Sequence, residues 1–190
     1  MLNQRIQGLY GITPDKDLNL SLIENAIKIH NIKILQYRRN AVNIKNKAEE
    51  AKKLLNLCLE HHTLFIVNDD VNLCEKVGAH GIHIGQGDMS AKSAREALGD
   101  KFIIGVTCHN SLELAIEAEK NGANYIALGA IFKSKNKPKA IHCPLTKVKE
   151  IKKNISIPIV GIGGINLKNQ HHAYQAGCNS VAMIDGLFRE

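Results

Sequence analysis

The chain has 190 residues, 44% hydrophobic and 23% charged, and carries a net charge of +7 with neutral histidines. That length and apolar content exclude a disordered chain and point to one domain spanning residues 1–190. No apolar run approaches the roughly 20 residues of a membrane helix, and five scattered cysteines without a C-x-x-C pair argue against a disulfide framework or structural zinc.

Taken in chain order, the segment from Met1 to Arg5 lacks a basic stretch followed by an apolar one. The expectation is therefore no secretory signal and a reducing cytoplasm. Short Ile- and Val-rich runs then predict strands near 8–13, 32–38, 64–69, 81–85, 102–107, 125–130, 157–163 and 180–185. Helical patterns lie between them. Ile44, Ala48, Ala51, Leu55 and Cys58 fall on one helix face, with lysines and glutamates mostly on the other. Leu145, Val148 and Ile151 form a smaller stripe among Lys147, Lys149, Lys152 and Lys153. A weak internal repeat links 77–85, 121–129 and 176–184. Each copy carries a glycine (78, 122, 177) where a helix pattern ends and a strand begins.

Eight strands alternating with helices imply a parallel sheet covered on both faces, hence α/β and a compact (β/α)₈ barrel. An open doubly wound sheet is the alternative. Because the chain stops soon after the eighth strand, its last helix is expected to be a stub or missing.

In such a barrel the loops after the strands form the site, and these segments are rich in polar residues and glycine. Asp69 and Asp88 follow adjacent strands and suit a Mg²⁺ ion, which takes one or two carboxylates. Helix capping is the competing role for each aspartate, Asp70 included. Arg38 and Lys137 are candidate phosphate ligands, the alternative being surface salt bridges. Gly163-Gly164 offers uncrowded amides after strand seven, where such barrels bind phosphate. The pairs His61-His62 and His171-His172 are poor metal pairs, because helix neighbours do not share a face. His83 reads as a supporting or core histidine. Cys108 and His109 face opposite ways on a strand and form no dyad. The basic balance suits an anionic partner or simply a solvated surface. The absence of Trp and the 4% aromatic content argue against nucleic-acid binding by stacking.

These strand-end segments, in order, resemble the thiamine-phosphate synthase family. The matching stretches are 8–13, Gln36-Tyr37-Arg38, Asn68-Asp69-Asp70, 81–88, 104–109, 125–132, Lys137-Pro138 and 158–165. The resemblance implies a transferase that joins 4-amino-2-methyl-5-(diphosphomethyl)pyrimidine to 4-methyl-5-(2-phosphoethyl)thiazole with release of pyrophosphate. It implies Mg²⁺ on Asp69 and Asp88, with Arg38 and Lys137 stabilising the leaving group. Gln36, Tyr37, Arg38, Arg39, Asn40, Asn68, Thr107 and Lys137 would hold the pyrimidine diphosphate. Ser134, Lys135, Asn136, Gly164, Ile184 and Asp185 would hold the thiazole phosphate. The implied partners are small phosphorylated heterocycles rather than nucleic acid or membrane, and a homo-oligomer is left open.

The sequence departs from the family pattern in one pocket. Arg39 and Asn40 replace an acidic residue and a lysine, Ser134-Lys135-Asn136 replaces Thr-x-Thr, and Asp185 replaces a frequent serine. These changes keep two alternatives open: a thiazole tautomerase, with His109 as proton carrier, and a non-catalytic paralogue that binds thiamine phosphate or its precursors.

Overall fold

A computed structural model describes residues 5–39, 44–133, 140–184 and 186–188, without the side chains of 44–46. Eight parallel strands close into a barrel in sequence order. They are β1 (Gly8–Ile12), β2 (Ile32–Tyr37), β3 (Leu64–Asn68), β4 (Gly81–Ile84), β5 (Ile103–His109), β6 (Tyr125–Leu128), β7 (Ile159–Ile162) and β8 (Ser180–Met183). Seven helices among the described residues form the outer ring: α1 (Leu20–His30), α2 (Ile44–Glu60), α3 (Val71–Val77), α4 (Ala91–Leu98), α5 (Leu112–Lys120), α6 (Leu145–Lys152) and α7 (Gln170–Gln175). The barrel expected from the alternation is thus the fold, and the open sheet is excluded because β1 pairs with β8.

The described residues after β8 contain no eighth helix. Leu187 and Phe188 are buried instead. Gly11 leaves room for the Phe188 ring, since a Cβ there would lie 2.8 Å from its tip.

Side chains alternate across each strand, so the sheet carries two cores. Tyr10, Ile12, Ile34, Leu64, Ile66, Ile103, Tyr125, Ala127, Val160 and Ala182 fill the barrel interior. The larger layer lies between sheet and helices, where Leu35, Tyr37, Phe65, Ile82, Ile104 and Ile126 meet Ala51, Leu54, Cys58, Ala94 and Ala115. All five cysteines are free and buried. Burial pushes the thiols of Cys74, Cys108 and Cys178 up to about 12, so they act as small apolar fillers.

Helix starts follow the sequence chemistry. Asn19, Asp70, Ser90 and Ser111 cap α1, α3, α4 and α5, each side chain accepting from a backbone N–H three residues on. The repeat glycines 78, 122 and 177 all have positive φ at the helix-to-strand corners.

Candidate active site at the barrel mouth

The capping roles separate the aspartates. Asp70 caps α3, with Leu73 N donating to its Oδ1 at 2.9 Å. Asp69 has φ 60° and its N–H donates to His83 O at 2.8 Å, outside the helical frame. Asp88 does not cap α4, a role taken by Ser90; its Oδ2 accepts from Gly85 N at 2.9 Å. Asp69 and Asp88 are left to face each other across a cavity of about 300 Å³ at the C-terminal ends of the strands.

Both carboxyl groups line this cavity closely enough for Asp88 to act on Asp69. Burial and then Asp88 push the Asp69 carboxyl well above the usual carboxylate range, opposed by the Gly85 amide and the Arg38 charge. Asn68 Nδ2 donates to Asp69 Oδ2. Two acidic side chains this close are poorly stable as paired anions without a cation. A hard divalent ion fits an all-oxygen donor set of this size. Among the described residues no cluster of three or more His, Cys, Asp or Glu is arranged to hold a metal.

Alternation on β2 sorts the next group. Gln36 and Arg38 line the cavity. A buried Thr13 fixes Arg38 by its backbone: Arg38 N donates to Thr13 Oγ1 at 2.9 Å, and Thr13 Oγ1 donates to Arg38 O at 3.3 Å. Tyr37 points the other way. Tyr37 OH donates to Glu50 Oε2 at 2.7 Å and its ring lies against Phe65. Arg39 pairs with Glu50 and Asp17, each at 3.3 Å. Tyr37, like Leu35, lies on the helix side of the sheet, whereas Arg39 lines a neighbouring cavity of about 540 Å³ together with Asn68, Asp69 and Asp70.

Asn68, Thr107 and His109 line the cavity, whereas Cys108 is buried in the outer layer, as the alternation requires. His109 has φ 52°, beside an irregularity in the β5–β6 register. Ile184 packs against the interior core. Gly163 and Gly164 both have positive φ, and a Cβ on Gly164 would lie 2.5 Å from Lys133 O. The loop therefore packs against the chain after β6 as only glycine allows. Asn40, Ser134, Lys135, Asn136, Lys137 and Asp185 lie outside the described residues.

Below the mouth runs a chain of polar groups that joins Gln36, His83 and Thr107, each named from the sequence, through Tyr10 and Tyr125, which are not. Gln36 Nε2 donates to Tyr10 OH at 2.8 Å, which lies 2.9 Å from Tyr125 OH. His83 bridges Tyr125 OH at 3.0 Å and Thr107 Oγ1 at 2.9 Å. Burial pushes His83 down to about 4, so the ring is neutral at pH 7. Its inward place follows from its alternation with Ile82 and Ile84, which is the signal that marks it. Tyr10 and Tyr125 sit two residues before Ile12 and Ala127 on the same inward faces.

Fold and mouth together define a (β/α)₈ barrel of the kind that holds small substrates on the loops after its strands. The structure of thiamine phosphate pyrophosphorylase from Pyrococcus furiosus superposes with a TM-score of 0.87 at 31% identity, covering 97% of this chain and 88% of that one. An N-acetylmannosamine-6-phosphate 2-epimerase from Clostridium perfringens, 14% identical with a TM-score of 0.71, shares the fold alone. The family model described as thiamine monophosphate synthase matches residues 9–187. The thiamine-phosphate synthase of Thioalkalivibrio sulfidiphilus is 41% identical over 188 residues, 97% of this chain and 89% of the relative. That of Alcanivorax borkumensis is 42% identical over 189 residues, 97% and 86% of the two chains. This chain belongs to the thiamine monophosphate synthase family.

Proposed function

We propose that the chain condenses 4-amino-2-methyl-5-(diphosphomethyl)pyrimidine with 4-methyl-5-(2-phosphoethyl)thiazole, giving thiamine phosphate and pyrophosphate. The observation that carries this reading is the family match over 9–187, which spans every strand that feeds the cavity. The thiazole nitrogen forms the new bond to the pyrimidine methylene, and the methylene C–O bond breaks with its electron pair leaving on pyrophosphate.

Charge develops on the departing diphosphate, so the groups that matter are cations and hydrogen-bond donors. Arg38 enters the cavity on a backbone held by Thr13 and offers its planar fork to phosphate oxygens. Lys137 adds a second positive charge in this reading. Asp69 and Asp88 would hold Mg²⁺, which when bound neutralises the leaving group. Asn68 orients Asp69 through its amide and keeps the rest of its side chain for the diphosphate. Gln36 and Thr107 meet the pyrimidine at the cavity floor. Ser134, Lys135, Asn136, Gly164, Ile184 and Asp185 form the thiazole phosphate end. Tyr37 supports the site from behind through Glu50, and Arg39, beside Asn68 and Asp69 on the neighbouring cavity, is a further cation for the diphosphate. The setting is cytoplasmic and the ligands are small phosphorylated heterocycles.

Incubating the purified protein with both precursors, with and without Mg²⁺, tests the reading. Equal, Mg²⁺-dependent appearance of thiamine phosphate and pyrophosphate is expected. Thiazole isomerisation without pyrophosphate would replace it with a tautomerase, for which His109 in the cavity is the proton carrier to test. Binding without any conversion would replace it with a non-catalytic paralogue.

A further inference from the structure

The hydrogen-bond chain inside the barrel has both its ends on the cavity. Gln36 and Thr107 line it, and Tyr10, Tyr125 and His83 connect them. We propose that Tyr10, Tyr125 and His83 are positioning residues that fix the direction of this chain, so that the cavity floor presents an acceptor at Gln36 Oε1 and a donor at the Thr107 hydroxyl.

The direction follows from the orientation of the Gln36 amide, whose nitrogen faces Tyr10, together with a count of protons. The Gln36 amide donates to the Tyr10 oxygen. The single phenolic proton of Tyr10 then has the Tyr125 oxygen as its partner, at 2.9 Å. That commits the Tyr125 proton to His83 Nδ1 at 3.0 Å. A neutral imidazole that accepts at Nδ1 carries its proton on Nε2, which donates to Thr107 Oγ1 at 2.9 Å. Thr107 accepts that bond and keeps its own proton for the cavity. Reversing one link alone sets two donors against each other and leaves a buried group unpaired, so the chain turns over only as a whole, with the Gln36 amide. Among the described residues no donor contacts Gln36 Oε1, so that oxygen is the amide's open end.

The surroundings are built to hold the chain in place. Tyr125 and His83 stack with ring centroids 5.6 Å apart and planes 22° apart, and Tyr10 meets Tyr125 edge-on at 6.2 Å. Gly105 on the neighbouring strand is required for this, because a Cβ there would collide with the Tyr125 ring and hydroxyl. Both tyrosines are fully buried, and burial raises each phenol well above its usual range, so neither ionises and each stays a one-proton relay.

The acceptor at the Gln36 end of the floor selects a ligand group that donates, and the donor at the Thr107 end one that accepts. A ring amino group donates to Gln36 Oε1; the 4-oxo form of the same ring sets a carbonyl against that acceptor. The identity of this ligand rests on the synthase reading above. The polarity of the chain does not.

Two measurements on the complete chain test the inference. The first needs no substrate. Long-range ¹H–¹⁵N spectra of histidine-labelled protein, with His83 assigned by H83N, should show Nδ1 unprotonated and Nε2 protonated. In Tyr125→Phe that single tautomer should give way to a mixture. An Nδ1–H tautomer in the unaltered protein would overturn the direction of the chain. The second compares 4-amino and 4-oxo pyrimidine diphosphates as substrates. Tyr125→Phe should raise KM for the amino form about tenfold, change kcat less than threefold, and shrink the preference for amino over oxo about tenfold. An unchanged preference would overturn the positioning role. If Tyr125→Phe loses its native circular dichroism, Tyr10→Phe cuts the same chain one link earlier and carries the same expectations. If the unaltered protein makes no thiamine phosphate, the synthase reading fails and the tautomer alone decides the polarity.

Discussion

The two ends of the barrel use polar side chains in opposite ways. At the end where the strands begin, they finish on the backbone. Arg95 donates to Gly99 O, Phe102 O, Gly122 O and Asn124 Oδ1 between 2.6 and 2.9 Å. Asn124 and Asn179 accept from Ile104 N and Ile159 N near the starts of β5 and β7. Thr63 and Ser180 donate to Ile32 O and Gly8 O. At the mouth, polar side chains meet one another and keep bonding capacity to spare: Asp69 faces Asp88, and Thr107 ends the tyrosine–histidine chain. The first arrangement satisfies buried groups and stabilises the fold; the second leaves bonds to be completed by a ligand. Substitutions at the two ends should therefore fail in different assays.

The largest effect is expected at the mouth. Asp88→Ala should lower turnover by about 10³-fold or more, because half of the proposed cation site disappears. Its stability should barely change. The Gly85 N–H loses its acceptor, at a cost of about 1 kcal/mol, but Asp69 is relieved of an anionic neighbour. Steady-state rates and a melting curve read both. A large fall in melting temperature with turnover intact would reverse the contrast between the two ends.

Arg95→Met is the opposite case. Three backbone carbonyls lose the guanidinium together and Asn124 Oδ1 keeps only Ile104 N, although water reaches some of them. A loss of about 2 kcal/mol, or roughly 4–8 °C in melting temperature, is expected, with kcat and KM unchanged at temperatures where the variant is folded. Loss of activity in the folded variant would show that the lower face acts on the mouth.

The same contrast explains what could be read from the sequence. The barrel is legible because every strand is a short β-branched run and every helix stripe has a buried face, so local pattern and global fold agree. The mouth is legible because strand ends converge there in any such barrel. Within it, grouping residues by segment blurs the side-chain direction: Gln36 and Arg38 line the cavity while Tyr37 between them does not, as the two-residue period of a strand dictates. Which aspartate caps a helix depends on backbone geometry, including φ 60° at Asp69, and residue type does not encode that. The Tyr10–Tyr125 contact spans 115 residues of sequence, so no local window contains it.

A smaller effect tests the lower face by pH. His80 Nδ1 accepts from Phe65 N at 2.9 Å, which requires a neutral ring. Burial, then the Arg5 charge, lowers its pKa below the ordinary value. The unfolded chain therefore binds the proton more readily than the folded one. The stability from this contact is present above the ordinary histidine value of about 6.5 and is lost as pH falls below it. Losing this acceptor is worth about 1 kcal/mol, or roughly 2–4 °C. Melting curves from pH 7.5 to 5 should thus fall more steeply for the unaltered protein than for His80→Asn, whose side-chain carbonyl accepts at any pH. Parallel curves would mean that His80 takes no part in acid sensitivity.

Tyr37→Phe is the smallest change and the sharpest test of side-chain direction. Tyr37 belongs to the segment Gln36-Tyr37-Arg38, and its neighbours on both sides line the cavity. Its own hydroxyl instead ties β2 to α2 through Glu50, and burial with that carboxylate beside it keeps the phenol protonated. Removing one oxygen leaves the ring against Phe65 and leaves Glu50 paired with Arg39. The expected result is a loss of about 1 kcal/mol with kcat and KM for both substrates unchanged. A tenfold rise in KM for the pyrimidine diphosphate with no change in melting temperature would mean that Tyr37 turns inward when substrate is bound. The division of β2 into a cavity face and a helix face would then hold only for the empty barrel.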